Sequence, residues 1–176
     1  MKRQRVRQVV ASVALLVCGY VPSAATAEDT TPGDSKEAIR IDVPVTLENA
    51  NVVFVMDHLA FADDTPVGIR YMHLLAKRYG ERRIKGQIIG LFFGEAAYLA
   101  LNDRAYNAYR SVPTGNPYKG PISALMKQGV QIEECAVSMK RHNWSNGDLL
   151  PGVKVTTGAV ARLIQLTQQR YVQIQP

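Results

Sequence analysis

Cysteine is scarce in this chain, which has two cysteines among 176 residues. Cys18 lies in an N-terminal segment with the pattern of an export signal, so Cys135 is the one thiol expected in the mature protein. An intramolecular disulfide is thereby excluded for the mature chain. A lone thiol where a strand pattern changes to a helix pattern is a candidate chemical centre.

Histidines are few, and glycine-rich nucleotide-binding motifs are absent from the sequence. Three histidines with no short ligand spacing are a weak metal signal, so we predict no metal site. His58 follows the first strand pattern, so a thiol–histidine pair with Cys135 is a further hypothesis, and we predict His58 as a binding residue. No glycine-rich phosphate loop or dinucleotide-binding motif is present, so no organic cofactor is expected either.

The first 27 residues have the order of a signal peptide. A basic start (Lys2, Arg3, Arg5, Arg7) precedes an apolar run from Val9 to Val21, and Ala25-Thr26-Ala27 supplies small residues for cleavage. The apolar run is too short to span a bilayer comfortably, so no stable membrane span is expected after cleavage. We predict a periplasmic or secreted protein. A lipid anchor on Cys18 is the alternative, although Val17 stands where a small residue normally precedes a lipidated cysteine.

Net charge gives no support for nucleic-acid binding. The formal charge of +6 falls to +2 once the four basic residues of the leader are removed, and nucleic acids require a concentrated basic stripe. Residues 28–37 are rich in Thr, Pro, Gly, Asp and Ser. We therefore predict a flexible N-terminal segment at 28–45 and a single domain at 46–176.

Continuous apolar runs predict strands that are covered on both faces. Strands are expected at Val52–Met56, Gln87–Phe93, Val130–Cys135, Val153–Thr156 and Tyr171–Ile174, with another extended segment at Ile39–Val45.

Helix patterns alternate with these strands. Thr65 and Pro66 are expected to start a helix that Gly80 ends, Gly94 to open a helical stretch, and Pro121 to start a helix that Gly129 ends. The alternation predicts an α/β fold with an open, mainly parallel sheet and helices on both faces.

Cys135 is predicted at the carboxyl end of the third long strand, directly before a short helix from Ala136 to Arg141. Functional groups gather at such ends because the next helix presents its amino end there. We expect that helix, with Lys140 folded back, to favour the thiolate, and Ser138 to help hold an anion. The opposing interpretation is that Cys135 is a small buried hydrophobe.

Three segments together resemble a known family. These are Glu134-Cys-Ala-Val-Ser-Met-Lys140, Leu149-Leu-Pro-Gly-Val153 and Thr157-Gly-Ala-Val-Ala-Arg-Leu-Ile-Gln-Leu166. They are similar to the DsrE/DsrF-like sulfur-relay family, and most closely to its exported, single-cysteine branch. The resemblance covers roughly residues 51–176.

The resemblance implies a compact α/β domain that assembles as a homo-oligomer, either a trimer or a hexamer. It also implies that Cys135, as the matching position, carries sulfur as a persulfide. The partners would then be small sulfur species or the thiol of a partner protein, and the activity that of a sulfur carrier or sulfurtransferase. The alternative is a non-enzymatic oligomeric protein that binds a small ligand or partner through the sheet rim and residues 96–120, with a structural cysteine.

Overall fold

The computed structural model describes residues 39–176. The predicted signal peptide at 1–27 lies outside the described residues, as does the part of the 28–45 segment before residue 39. Residues 39–45 contain no strand, contrary to the extended segment expected there. The apolar side chains of Ile41, Val43 and Val45 are exposed, so this segment buries too little apolar surface to form one.

One five-stranded sheet organises the domain. Its strands are β1 (Val52–Met56), β4 (Ile88–Phe92), β5 (Gln131–Cys135), β6 (Lys154–Thr156) and β7 (Val172–Ile174). Every neighbouring pair is parallel, and the strand order is β6-β5-β4-β1-β7. A separate two-stranded hairpin is formed by β2 (Phe61–Ala62) and β3 (Thr65–Pro66).

Helices connect the strands. They are α1 (Val67–Arg82), α2 (Asp103–Arg110), α3 (Lys119–Lys127), α4 (Ala136–Arg141) and α5 (Ala159–Gln168), with 3₁₀ helices at Gly94–Ala100 and Asn146–Asp148. The chain adds β4, β5 and β6 outward from β1, and α5 then returns it to the opposite edge, where β7 pairs with β1. This is the predicted fold, an α/β domain with a mainly parallel sheet.

Alternating strand residues divide the core into two layers. Phe54, Phe92 and Ile132 face a large cluster that includes side chains of α1 and α3. Val53, Ile89, Leu91 and Cys135 face a smaller cluster with Ala159 and Leu166 of α5. Helices therefore cover both faces of the sheet, as predicted, and Cys135 belongs to the α5 side.

Both predicted ends of helix α1 are wrong. The helix begins at Val67, because Thr65 and Pro66 pair with β2, and no side chain caps it. At the other end Gly80 stays helical, and the left-handed residue is Arg83, with φ of 54°. Arg83 bonds through its backbone N–H to the carbonyls of Tyr79 and Gly80, so a non-glycine residue ends this helix.

Helix starts also differ near the long loop. Helix α3 begins at Lys119, two residues before the predicted Pro121. The stretch opened by Gly94 is a 3₁₀ helix that runs to Ala100, and α2 follows as a separate helix capped by the side chain of Asn102. Among residues 39–176, no helix is long and apolar enough to cross a membrane.

Candidate functional site

Cys135 lines a cavity of about 330 Å³ at the carboxyl ends of β4, β5 and β6. The walls are the residues that follow these strands, namely Phe93, Gly94, Val137, Ser138, Arg141, His142 and Gly158–Ala161. Val137 and Val160 are 62 % and 70 % exposed, so the cavity opens to the surface between α4 and α5. The predicted position of the thiol at a strand end is confirmed.

The thiol itself is buried, with 4 % of Cys135 exposed. Ile89 and Leu91, which belong to the same core cluster, are aliphatic, and this is the packing expected of a structural cysteine. Two features depart from that interpretation. One side of Cys135 faces the cavity, and its Sγ accepts a hydrogen bond of 3.3 Å from the backbone N–H of Ala159, the first residue of α5.

Ser138 lies in the cavity wall, as predicted for a binding residue. Its Oγ accepts a hydrogen bond of 3.0 Å from the backbone N–H of Gly94, and the hydroxyl keeps its own hydrogen as a donor. Gly94 has φ of +58°, and a Cβ there would lie 2.7 Å from the carbonyl oxygen of Asp57. A glycine is therefore required at the turn that holds Ser138.

Lys140, which was predicted to fold back toward the thiol, does not line this cavity. The lysine is exposed, and Arg141 and His142 line the cavity instead. On helix α4, Ser138 and Arg141 are three residues apart and share a face, whereas Lys140 points elsewhere. The spacing of Cys135, Ser138 and Arg141 was the sequence signal for this face.

His58 is also absent from the cavity wall, so the structure does not form the suggested thiol–histidine pair. It lies after β1, where its Nδ1 is 2.6 Å from Oδ1 of Asp57. Partial burial alone would raise the pKa of Asp57, but hydrogen bonds from His58 and Gln175 outweigh it and lower that pKa. Within residues 39–176, no group of His, Cys, Asp and Glu is arranged to hold a metal ion.

Glu133 shares the sheet face of Cys135, and Arg162 of α5 pairs with it. Nε and Nη2 of Arg162 donate to the two carboxylate oxygens at 2.8 and 2.7 Å, and Gln131 donates to Oε1 at 2.6 Å. The hydrogen bonds to Glu133 raise the pKa of Arg162 despite its partial burial. The Glu133 carboxylate, two positions before Cys135 on the same face of the sheet, is therefore balanced by an arginine.

Glu134 points to the other face of the sheet, because neighbouring strand residues alternate. It is fully buried: Oε1 accepts a 3.1 Å hydrogen bond from the N–H of Cys135, and Oε2 has no partner within the described chain. Burial raises the pKa of Glu134 well above its usual value, although the bond from Cys135 lowers it. The neutral acid is favoured, so Glu134 opposes a nearby thiolate less than its sequence position suggests.

Glu134→Gln is expected to change how stability depends on pH. The pKa of Glu134 is higher in the folded state than in the unfolded state. Its contribution to stability is therefore complete at pH values below the unfolded-state pKa, and it is lost as the pH rises through the folded-state pKa. Between those two values the wild type should lose about 1.4 kcal/mol per pH unit relative to the glutamine variant. Urea unfolding from about pH 5 to about pH 8 measures the difference.

Glu95→Gln, which changes an exposed carboxylate, is the control. If the wild type and Glu134→Gln keep a constant difference in unfolding free energy over the whole range, the description of Glu134 as a buried neutral acid is wrong.

A family model, described as the DsrE/DsrF-like family, matches residues 44–176. The chain belongs to the DsrE/DsrF-like family. The predicted family is thereby confirmed, and the matched range includes the whole sheet and the Cys135 cavity. No curated protein matches the chain significantly.

Two solved structures show the same fold. A protein of unknown function, MTH1491 from Methanobacterium thermoautotrophicum, is 20 % identical with a TM-score of 0.53. The ychN protein from E. coli is 14 % identical with a TM-score of 0.50. Each alignment covers 72 % of this chain and 99 % of the other. At such low identity these similarities establish the fold alone.

Proposed function

We propose that this protein is an exported sulfur carrier in which Cys135 takes up sulfur as a persulfide and passes it to a second thiol. The observation that carries the proposal is the setting of Cys135. Its thiol lines a cavity that opens to the surface and accepts a hydrogen bond from the first N–H of α5. Membership of the DsrE/DsrF-like family supports the same chemistry.

The uptake step is a displacement at sulfur. The Cys135 thiolate attacks the outer sulfur of a persulfide or polysulfide donor, R–S–SH, and the donor's S–S bond breaks as the new S–S bond forms. The donor leaves as the thiolate R–S⁻, and the protein holds Cys135–S–SH. Attack by an acceptor thiolate on the outer sulfur then releases the Cys135 thiolate. No metal, oxidant or organic cofactor takes part.

Residues of the cavity favour this step. The N–H of Ala159 donates to Sγ and stabilises negative charge on it, as does the positive end of the α5 dipole. The Ser138 hydroxyl lines the same space and can donate to an incoming sulfur anion. Arg141 is exposed in the cavity wall, so its charge attracts anionic donors.

Burial of the thiol suits an exported carrier. An exposed cysteine in an oxidising compartment forms intermolecular disulfides or is oxidised to sulfenic acid. Cys135 is 4 % exposed and is therefore shielded from both reactions. We further propose that the protein assembles as a homo-oligomer, as its family resemblance implies.

Sulfur loading tests this function. Wild-type protein, purified after export of the full chain, is treated with inorganic polysulfide, desalted, and weighed by intact-mass spectrometry without reductant. The wild type should gain the mass of one or more sulfur atoms and lose it on addition of dithiothreitol. Cys135→Ser should load at least about 100-fold less, since no other thiol nucleophile remains in the mature chain. A wild type that gains no sulfur contradicts the proposal.

The aliphatic neighbours of Cys135 favour a second candidate, a non-enzymatic binding protein with a structural cysteine. That candidate predicts no loading by polysulfide, and it predicts that Cys135→Ala keeps both oligomer size and ligand retention. Size-exclusion chromatography of the alanine variant beside the loading experiment distinguishes the two candidates.

A further inference from the structure

A second cavity of about 380 Å³ lies beside the Cys135 cavity, lined by residues of α2 and of the turn after α4. Its lining residues are Arg104, Ala105, Ala108, Tyr109, His142, Asn143, Trp144 and Asp148. The volume falls within the range of small-molecule sites. The sulfur-transfer step described above does not use this space.

Three aromatic rings form one wall of this cavity, which we call the aromatic cavity. The rings of His142 and Trp144 are stacked with centroids 4.6 Å apart. The Tyr109 ring meets both of them edge-on, with centroids 5.2 Å away in each case. The Tyr109 ring also stacks on Tyr98 with centroids 5.6 Å apart, and 41 % of Tyr109 stays exposed, so part of this wall is open to solvent. Aromatic faces that remain open attract cations such as an ammonium group.

The aromatic cavity is also lined by an ion pair between Arg104 and Asp148. Nη2 of Arg104 lies 2.7 Å from Oδ1 of Asp148, and the arginine side chain is 80 % exposed. Hydrogen bonds from the backbone N–H and the hydroxyl of Ser145 lower the pKa of Asp148, so this carboxylate is ionised and fixed. The other N–H groups of Arg104 remain to bind a ligand carboxylate.

His142 lies between the two cavities as a shared wall, because it lines both. A ligand lying across this side chain has one end beside Cys135 and the other between the aromatic rings and Arg104. Arg141 adds a second cationic group on the thiol side. The combined site therefore offers a reactive sulfur position at one end, and positions for an ammonium and for carboxylates at the other.

We propose that the aromatic cavity binds the amino-acid or short-peptide part of a low-molecular-weight persulfide, whose outer sulfur then reaches Cys135. The ammonium of the donor lies on the aromatic wall, and a carboxylate pairs with Arg104. This inference rests on the proposed function and makes it more specific, since it selects zwitterionic organic donors over inorganic polysulfide. As in the uptake step above, the S–S bond of the donor breaks as the S–S bond to Cys135 forms, and the organic donor leaves as its free thiolate.

Equilibrium binding tests the cavity without sulfur chemistry. The probe is S-methylglutathione, a non-reactive zwitterionic thioether, titrated into the Cys135→Ala variant by isothermal calorimetry. We expect saturable binding that Tyr109→Leu weakens by about tenfold, because the aromatic wall loses its exposed tyrosine. Tyr71→Leu is the matched control, since Tyr71 is 47 % exposed on α1 and lines neither cavity.

Loading rates test the link to Cys135. With glutathione persulfide as donor, Tyr109→Leu should load about tenfold more slowly than the wild type and Tyr71→Leu at the wild-type rate. With inorganic polysulfide, both variants should stay within about twofold of the wild type, because this donor has no group for the aromatic cavity. Intact-mass spectrometry follows both reactions.

The outcomes separate the two proposals. Equal slowing with both donors, or no slowing with either, overturns the aromatic cavity as a donor site. Absence of S-methylglutathione binding overturns it as well. If neither donor loads the wild type, the sulfur-carrier function fails, and binding of S-methylglutathione that is lost in Tyr109→Leu still supports the cavity as a site for zwitterionic peptides.

Discussion

Arg162→Ala is expected to lower the free energy of unfolding by about 3 kcal/mol or more, because it leaves a buried carboxylate without its partner. Glu133 is 3 % exposed, and two nitrogens of Arg162 bond to it. Gln131 alone cannot compensate the remaining charge. Urea denaturation of the two proteins at neutral pH measures the loss.

A second variant shows whether the loss comes from the unpaired charge. In Arg162→Met/Glu133→Leu the carboxylate is removed with the guanidinium, so most of the stability should return. Arg104→Ala is the control, since its ion pair with Asp148 is largely exposed on the arginine side and should be worth at most about 1 kcal/mol. If Arg162→Ala costs no more than Arg104→Ala, the pair does not stabilise the sheet face that carries Cys135.

The strands were predictable because their signal is local. Val52–Met56 and Ile88–Phe92 are continuous apolar runs, and a strand buried on both faces needs that pattern. The junction at Cys135 was predictable for the same reason, because an apolar pattern stops there and a helix pattern begins. Helix ends were less predictable. Pro66 pairs with β2 and Arg83 ends the helix through backbone hydrogen bonds, and helix propensity describes neither contact.

The composition of the site could be predicted only in part. Ser138 was chosen because it lies on the short helix that directly follows Cys135, and it lines the cavity, whereas Lys140 on the same six-residue helix does not. Arg141 satisfied the same helical spacing as Ser138 and could have been chosen instead. Gly158 and Ala159 could not, because the chain places them beside the thiol only through the pairing of β5 with β6.

Pairings between distant residues were beyond local patterns. Glu133 and Arg162 are 29 positions apart, and nothing in either segment indicates their contact. Two glutamates, Glu133 and Glu134, directly precede Cys135. The structure separates them, since alternation sends Glu133 to Arg162 on one face and buries Glu134 on the other. Their effect on the thiol therefore depends on tertiary structure.

Thiol labelling of the native protein should depend strongly on reagent size. Methyl methanethiosulfonate fits the cavity beside Cys135, whereas a maleimide joined to a polyethylene glycol chain does not. The bulky reagent can react only when the protein opens locally, which costs a few kcal/mol. Its rate on the native protein should therefore be at least about 100-fold lower than its rate on the unfolded protein. Mass spectrometry at timed quenches gives both rates.

Two variants locate the entrance. Val160→Phe, in the cavity wall, should slow methylthiolation about tenfold by filling the mouth. Ile164→Phe is the matched control, because Ile164 lies one turn further along α5, is 57 % exposed and does not line the cavity. It should react at the wild-type rate.

We expect the folded protein to keep the Cys135 thiol reachable, and methylthiolation of the native wild type measures this property. Modification of Cys135 should be rapid and complete without denaturant, and absent in Cys135→Ser. Modification that occurs only after unfolding would contradict this expectation and leave Cys135 as a packing residue of the sheet.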